Sequence, residues 1–259
     1  MFFRCLSLVV CAASLVLAGQ STLRVCADPN NLPFSNQRGE GFENKLAEMV
    51  ALATGQKLEY TWWSERKSFL RDSLNAGRCD VVMGVPTSLS SVAVSRPYYR
   101  STYVFVSRHA GKLQVSSLTD PRLQHCRIGI QVVGNDYAPP AVALARGGLA
   151  KNIVGFSLFG PYGDANPARK IVDAVARGDV DVAVVWGPLA GYFAKSAPQK
   201  LDIIPISPPT YLGVPFTYDI SIGVRKQDTA REAELNQVLQ SHADVVRRIL
   251  AGYGVPQVP

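Results

Sequence analysis

The stretch Gly77 to Tyr99, GRCDVVMGVPTSLSSVAVSRPYY, decides the fold. A helix ending at Gly77, a residue suited to a left-handed C-terminal cap, feeds a hydrophobic strand over Cys79 to Val85. A Pro-Thr-Ser-rich turn then leads on to Arg96-Pro97-Tyr98-Tyr99. An unbroken apolar run suits a strand buried on both faces, and such strands belong to parallel sheets covered by helices. In open sheets of that kind ligands bind beyond the carboxyl ends of the strands, where Pro86, Thr87 and Ser88 stand.

Upstream, Leu23 to Ala27 reads as a first strand running into the turn Asp28-Pro29-Asn30-Asn31-Leu32-Pro33-Phe34. Gly41-Phe42 opens a helix with Leu46, Met49, Val50 and Ala53 on one face, closing at Gly55. A strand over Lys57 to Trp63 and a helix over Ser64 to Ala76, with Phe69, Leu70 and Leu74 inward, complete a β-α-β-α-β order. That order calls for a parallel sheet with right-handed crossovers.

Downstream, Tyr103 to Ser107 is a further strand, and after the linker opened by Asp120-Pro121 the pattern starts afresh. Strands are expected over Arg127 to Val133, Ile153 to Leu158 and Val180 to Trp186. Helices are expected over Pro139 to Gly147 and Pro167 to Arg177, the latter capped by Asn166. Gly178-Asp179-Val180-Asp181-Val182 echoes Gly77-Arg78-Cys79-Asp80-Val81. The echo predicts two similar α/β lobes. Leu201 to Pro205 and the alternating Tyr211 to Val224 read as strands, and Asp228 to Leu250 as helix. The chain is expected to leave lobe 1 near Val104 and return near Asp219. Lobe 1 is then 19–104 plus 219–259 and lobe 2 is 105–218, with two hinge strands and a cleft between them.

Met1 to Ala18 is different. One arginine precedes an apolar run from Leu6 to Leu17, and Val16-Leu17-Ala18 supplies a small-residue cleavage site, the pattern of a secretory signal over 1–18. The run is too short for a comfortable membrane span, and no second run of about eighteen apolar residues follows. The mature chain is therefore expected to be soluble. Of the five cysteines, Cys5 and Cys11 leave with the signal, so Cys26, Cys79 and Cys126 remain in a compartment that permits disulfides. Cys26 with Cys79 is the favoured pair, because the two fall in strands expected to be neighbours. In the chain-entropy account closing that loop is worth roughly 4 kcal/mol.

The formal charge is +7, but the basic residues are scattered and not interleaved with aromatics, which speaks against nucleic acid as a partner. A basic surface fits an acidic protein partner or an anionic envelope surface, and equally plain solubility. Signatures of catalysis are sparse: there is no His-Glu-x-x-His, Walker loop, dinucleotide glycine pattern or Gly-x-Ser-x-Gly elbow. His109, His125 and His242 lack metal-ligand spacing, and no loop of closely spaced carboxylates resembles a calcium site. No catalytic residue, metal or cofactor is expected. The candidate cleft residues are instead aromatic and polar: Phe34, Trp63, Tyr137, Trp186 and Phe216, with Asn31, Thr87, Ser88, Gln131 and Asn135 at the rim. Aromatic anchors are enriched where proteins bind partners. Core packing is the competing reading for the rings, and turn formation for the asparagines.

Asp28 to Phe34, Gly41 to Ala47, Gly77 to Tyr99, Ile128 to Gln131 with Gly134, Gly178 to Ala183 and Ile222 to Lys226 together resemble the periplasmic solute-binding proteins of the amino-acid-binding type. That resemblance implies a two-lobed, type II periplasmic binding protein fold. Two departures matter. Ser88 stands where such binders place an arginine to clamp the ligand carboxylate, and Trp186 where they place an aspartate for the ammonium. A zwitterion would find neither counter-charge, and burying its charges unpaired costs several kcal/mol.

The stretches LRVCADPNNLPFSN, GEGFENKLAE, LEYTWW, RCDVVMGVPT, RPYYRSTYVFV, RIGIQVVG and ILAGYGVP, with the Asp136 to Pro140 run, resemble a narrower family. It is that of the quinoprotein-dehydrogenase-associated solute-binding-like proteins, the J-type accessory proteins of methanol dehydrogenase systems, and LEYTWW with VVMGVP leans toward the lanthanide-dependent branch. The resemblance implies a periplasmic accessory factor that helps such an enzyme to mature or become active; the protein is expected to be a monomer without a cofactor of its own. Its expected partner is a periplasmic pyrroloquinoline-quinone (PQQ) methanol dehydrogenase, with that enzyme's cytochrome c system as a further neighbour. A receptor for a non-amino-acid solute feeding an ABC transporter is the alternative, and an enzyme built on the same fold a third.

Overall fold

The computed structural model describes residues 20–65, 68–133, 136–158 and 166–258; the stretch 1–18, expected to be a signal, and Asn135 lie outside them. The first part of the chain forms β1 (Thr22–Ala27), α1 (Phe42–Ala53), β2 (Lys57–Trp62), a four-residue α2 (Phe69–Asp72) and β3 (Val81–Pro86). The long strand β4 (Tyr99–Arg108) follows. Then come β5 (Ile128–Val133), α3 (Pro139–Arg146), β6 (Ile153–Ser157), α4 (Lys170–Arg177), β7 (Val182–Trp186) and α5 (Gly187–Ala194). β8 (Leu201–Pro205), β9 (Thr217–Val224), α6 (Thr229–Ser241) and α7 (Ala243–Tyr253) complete the order.

The strands run β6-β5-β7-β4-β9-β3-β1-β2 across one sheet, with β8 beside β4. β1 pairs in parallel with β2 and β3, and β5 in parallel with β6 and β7, so each lobe has the expected crossover core. The two hinge strands are antiparallel. β4 pairs with β9 from Tyr99 to Thr102, and from Tyr103 onward with β7 and β8. One strand thus passes from lobe to lobe by changing partners between adjacent residues.

Each lobe has its own core. In lobe 1, Leu23, Val25, Phe42, Leu46 and Val50 pack with Ile220, Ile222, Val224, Leu235 and Leu250 from the returning chain. In lobe 2, Phe105, Ile128, Ile130, Leu144 and Val184 pack on one sheet face. Val104, Val106, Ile171, Val175 and Phe193 pack on the other. Area removed from water at roughly 25 cal/mol per Å² is the main stabilising term for such sets. Among the described residues no helix is long and apolar enough to cross a membrane.

The repeated pentapeptides are structurally equivalent. Gly77 and Gly178 both take positive φ, +74° and +84°. Asp80 accepts the backbone N–H of Arg24 at 3.1 Å and its guanidinium at 2.7 Å; Asp181 accepts the N–H of Arg127 at 2.8 Å and its guanidinium at 3.2 Å. In each lobe a carboxylate on one strand start thereby holds the parallel neighbour in register. The Cys26–Cys79 disulfide forms as expected, between side chains 1% and 0% exposed, and Cys126 is free.

Four local expectations are corrected. The helix expected over Ser64 to Ala76 shrinks to Phe69–Asp72, where the Ser73 hydroxyl takes the Phe69 carbonyl at 2.6 Å in competition with continued helix. Asn166 does not cap; it adopts φ +53° with no side-chain capping bond, and Pro167–Arg169 is a 3-10 turn before α4. Tyr211 to Val224 is not one strand, because the small hairpin Thr210–Tyr211 with Val214–Pro215 precedes β9. The single helix expected over Asp228 to Leu250 divides at His242 into α6 and α7, and α5 forms over Gly187–Ala194, where no element was expected.

Candidate functional site

A cavity of about 840 Å³ opens between the lobes at the carboxyl ends of the strands. Its back wall is the hinge itself. Tyr103 on β4, Trp186 at the end of β7 and Tyr218 on β9 meet edge to face, with centroid separations of 5.2 Å for Tyr103–Trp186, 5.9 Å for Trp186–Tyr218 and 6.4 Å for Tyr103–Tyr218. Such geometry sets the positive ring edge against the negative ring face. Trp186 is held by Gln131, only 3% exposed, whose Oε1 accepts the Trp186 backbone N–H at 2.8 Å.

The lobe 1 wall is aromatic and acidic. Phe34 rests against Phe42 at 5.3 Å, and Phe42 meets Tyr99 at 5.9 Å. The Asp28 carboxylate folds the first loop by accepting the N–H of Asn30 at 2.8 Å and of Glu65 at 2.7 Å. Asn31 Nδ2 donates to Glu65 Oε2 at 2.8 Å. Glu43, in the first turn of α1, is 9% exposed, and among the described residues its carboxyl receives a long 3.4 Å contact from the Tyr98 hydroxyl. Burial first, and then the charge of Glu65, push its carboxyl up to about 8. Desolvation and the charge of Asp28 also raise Glu65, although its exposure to cleft water moderates the shift. Gly84, at φ +75°, donates its N–H to Tyr98 at 3.0 Å, and a Cβ there would overlap Glu43 Oε1.

Of the sequence-derived candidates, Asn31, Phe34, Gln131, Tyr137 and Trp186 line this cavity. Tyr137 is 55% exposed at the rim. Trp63 is turned away, its ring under the Arg78 guanidinium at 4.8 Å. Thr87 and Ser88 are exposed outside the wall, Thr87 bonding the Asp219 carbonyl at 3.1 Å and the Ser221 hydroxyl at 2.8 Å. Phe216 is corrected outright: it is 0% exposed in the lobe 2 core. Sequence reasoning missed Glu43, Glu65 and Tyr103. Glu43 could have been found, since it shares the helical stripe of Leu46, Ala47 and Val50, all buried. Among the described residues no cluster of three or more His, Cys, Asp or Glu is placed to hold a metal ion.

Residues 23–248 match the model of the bacterial extracellular solute-binding proteins, family 3. Protein MoxJ of Methylorubrum extorquens is 34% identical over 262 aligned positions, covering 96% of this chain and 85% of that protein. The chain belongs to family 3 and, within it, to the MoxJ-type proteins. That is the J-type family whose motifs the sequence resembles. Two solved family structures superpose on nearly the whole chain. MxaJ from Methlophaga aminisulfidivorans MPT has a TM-score of 0.81 at 29% identity, over 92% of this chain and 100% of that one. The periplasmic binding protein XoxJ from Methylobacterium extorquens AM1 has a TM-score of 0.74 at 32% identity, with the same coverage. The MoxJ-type fold thus accounts for both lobes and the cleft described above.

Proposed function

We propose that this protein is a periplasmic accessory factor that binds a PQQ-dependent methanol dehydrogenase, of the lanthanide type, and assists its maturation or activation by taking a segment of it into the inter-lobe cleft. The lobes would divide near Val104 on β4 and Asp219 on β9. The observation that carries the reading is the chemistry of the cleft. It is lined by Phe34, Tyr99, Tyr103, Trp186 and Tyr218, and it offers no arginine at the Ser88 position and no aspartate at the Trp186 position. Large rings at low side-chain entropy cost suit a protein segment, and the volume lies in the upper part of the roughly 300–1,000 Å³ span of ligand sites. The same volume also fits the second reading, a receptor for a non-amino-acid small molecule feeding an ABC transporter.

Titration of the mature protein against apo and holo methanol dehydrogenase, beside a panel of amino acids and PQQ, separates the two. Saturable binding to the dehydrogenase without heat from any small molecule upholds the accessory role. Tight binding of a small molecule with no response to the dehydrogenase overturns it.

A further inference from the structure

α3 carries a face that the rest of the fold leaves bare. Its inward side, Pro140, Ala141, Ala143 and Leu144, is buried, yet in its whole sequence PPAVALAR only Arg146 is polar. Val142, 41% exposed, and Ala145 point to solvent where a surface helix ordinarily turns charged or amide side chains. A helix apolar on every side is ordinarily covered on every side. At its C-terminal end this face continues onto the small hairpin, because Arg146 Nη1 donates to the Leu212 carbonyl at 2.8 Å. The hairpin turns through two left-handed residues, Leu212 at φ +49° and Gly213 at +75°. Such a turn favours Asn, Asp or Gly at its first position, and a leucine there is strained. Tyr211 and Val214 fasten the hairpin to the lobe 2 core, while the Leu212 side chain stands outside it, 47% exposed. Strain held at an exposed apolar tip points to a contact beyond the chain itself. At the N-terminal end the face begins at Tyr137, 55% exposed, which also lines the cavity. Charge here has one sign: over 137–158 and through the hairpin 210–215 the chain carries Arg146 and Lys151, both exposed, and no Asp or Glu.

We propose that the outer face of α3, from Tyr137 past Val142 to the Leu212 tip of the hairpin, is a second docking surface for the protein whose segment enters the cleft, and that it takes an apolar patch of that protein fringed by carboxylates. The partner thereby named rests on the accessory reading above; the surface itself rests on α3 and the hairpin. A second copy of this chain, docked face to face, would set Arg146 and Lys151 against like charges. An anionic lipid surface is usually held by clusters of about four to eight cations, and this stretch brings only Arg146 and Lys151. An acidic protein partner answers both cations, and Tyr137 makes the surface continuous with the cleft rim, so that one protein reaches both. The cations then favour encounter, and the apolar tip and helix face slow release.

The test is calorimetric titration of apo and holo methanol dehydrogenase into the wild type and surface variants. Val142→Gln and Leu212→Asn are each expected to weaken binding about fivefold. Lys151→Glu should weaken it about threefold at low salt, with the difference vanishing at high salt. Leu52→Gln, at an 84% exposed position on α1, should change nothing. Leu212→Asn should unfold at the same or a higher urea concentration than the wild type, since asparagine tolerates the left-handed turn, so that its lost binding is not lost folding. Full-strength binding by both Val142→Gln and Leu212→Asn overturns the surface. So does a wild-type dimer that Val142→Gln dissolves, or capture of the wild type on phosphatidylglycerol vesicles that Leu212→Asn abolishes. A helical peptide with leucine on one face and glutamate elsewhere, titrated beside its lysine counterpart, separates this inference from the reading it rests on. If the dehydrogenase does not bind the wild type but the glutamate peptide alone of the two does, and Val142→Gln weakens it, the surface stands and the accessory role falls. If the dehydrogenase binds, and Phe34→Ala weakens it while the two surface variants do not, the surface falls and the accessory role stands. If neither dehydrogenase nor peptide binds, both fall.

Discussion

Gln131 Oε1 accepts the backbone N–H of Trp186 at 2.8 Å, a buried side-chain bond that joins the ends of β5 and β7 where they meet the cleft. It fixes the direction in which the chain leaves β7, and with it the plane of an indole packed on Tyr103 and Tyr218. Gln131→Ala leaves that N–H without its partner and is expected to cost about 1 to 3 kcal/mol in urea unfolding. Trp186 emission should shift to longer wavelength as water reaches the ring. Gln131→Glu, which keeps an acceptor, should recover part of both changes.

Trp186 and Phe34 line the cavity from opposite lobes, and both are half-buried. Replacing either by alanine is expected to weaken dehydrogenase binding and activation severalfold while leaving a cooperative unfolding transition. Unchanged activation by both variants would remove the cleft rings from the mechanism.

The Cys26–Cys79 bridge closes a loop with a sequence separation of 53. Non-reducing peptide maps should show these two joined and Cys126 alkylated. The Cys26→Ser/Cys79→Ser variant is expected to lose about 4 kcal/mol of stability in denaturant titration, in the chain-entropy account.

Glu43 sets a pH dependence with a definite sign. Its folded carboxyl is raised from 4.5 to about 8, so between those values the native protein holds a proton that the unfolded chain has released. Stability from this group therefore falls as pH rises through that window. Glu43→Gln should flatten the slope of unfolding free energy against pH between 5 and 8, and should gain most on the wild type at the upper end.

Asp80 and Asp181 play the same part in the two lobes with different degrees of support. Asp80 also meets Arg225 at 3.5 Å, and its side chain is 15% exposed against 31% for Asp181. Asp80→Ala is expected to cost about 2 to 3 kcal/mol, and Asp181→Ala about 1. Both carboxyls lie below their usual range, Asp80 because the Arg24 bonds outweigh its burial and Asp181 chiefly through its bond to Arg127. Their contributions should be present above pH 4 and be lost as pH falls below it.

The parts of the fold written in periodicity are legible in the sequence. The runs around Val81 to Val85 and Val182 to Trp186 gave the buried strands, and the Gly-x-x-Asp-Val echo gave the internal repeat. Phe34 and Trp186 are expected at strand ends that point at the cleft in this kind of sheet, and both line the cavity. What was missed depends on contacts between distant segments. Phe216 neighbours the hinge strand in sequence, but its side chain turns into the lobe 2 core. Glu43 draws its character from Gly84, Tyr98 and Glu65, none of which is near it in the chain. α5 opens on Gly187-Pro188, where the sequence reading places no element, and it packs against β4 and α7.

β9 lies between β4 and β3, and its Ile220, Ile222 and Val224 complete the core that Leu23 and Phe42 begin. A polypeptide delivered N-terminus first therefore has every strand of its second lobe in hand before its first can close. Until the last segment arrives, β3 shows a bare flank of unpaired amides to whatever surrounds the emerging chain. The final residues add a last tie, since Ser101 Oγ donates to the Pro256 carbonyl and the Val258 N–H to that of Arg100, and a stop before β9 would leave an open first lobe beside a second whose strands are all present.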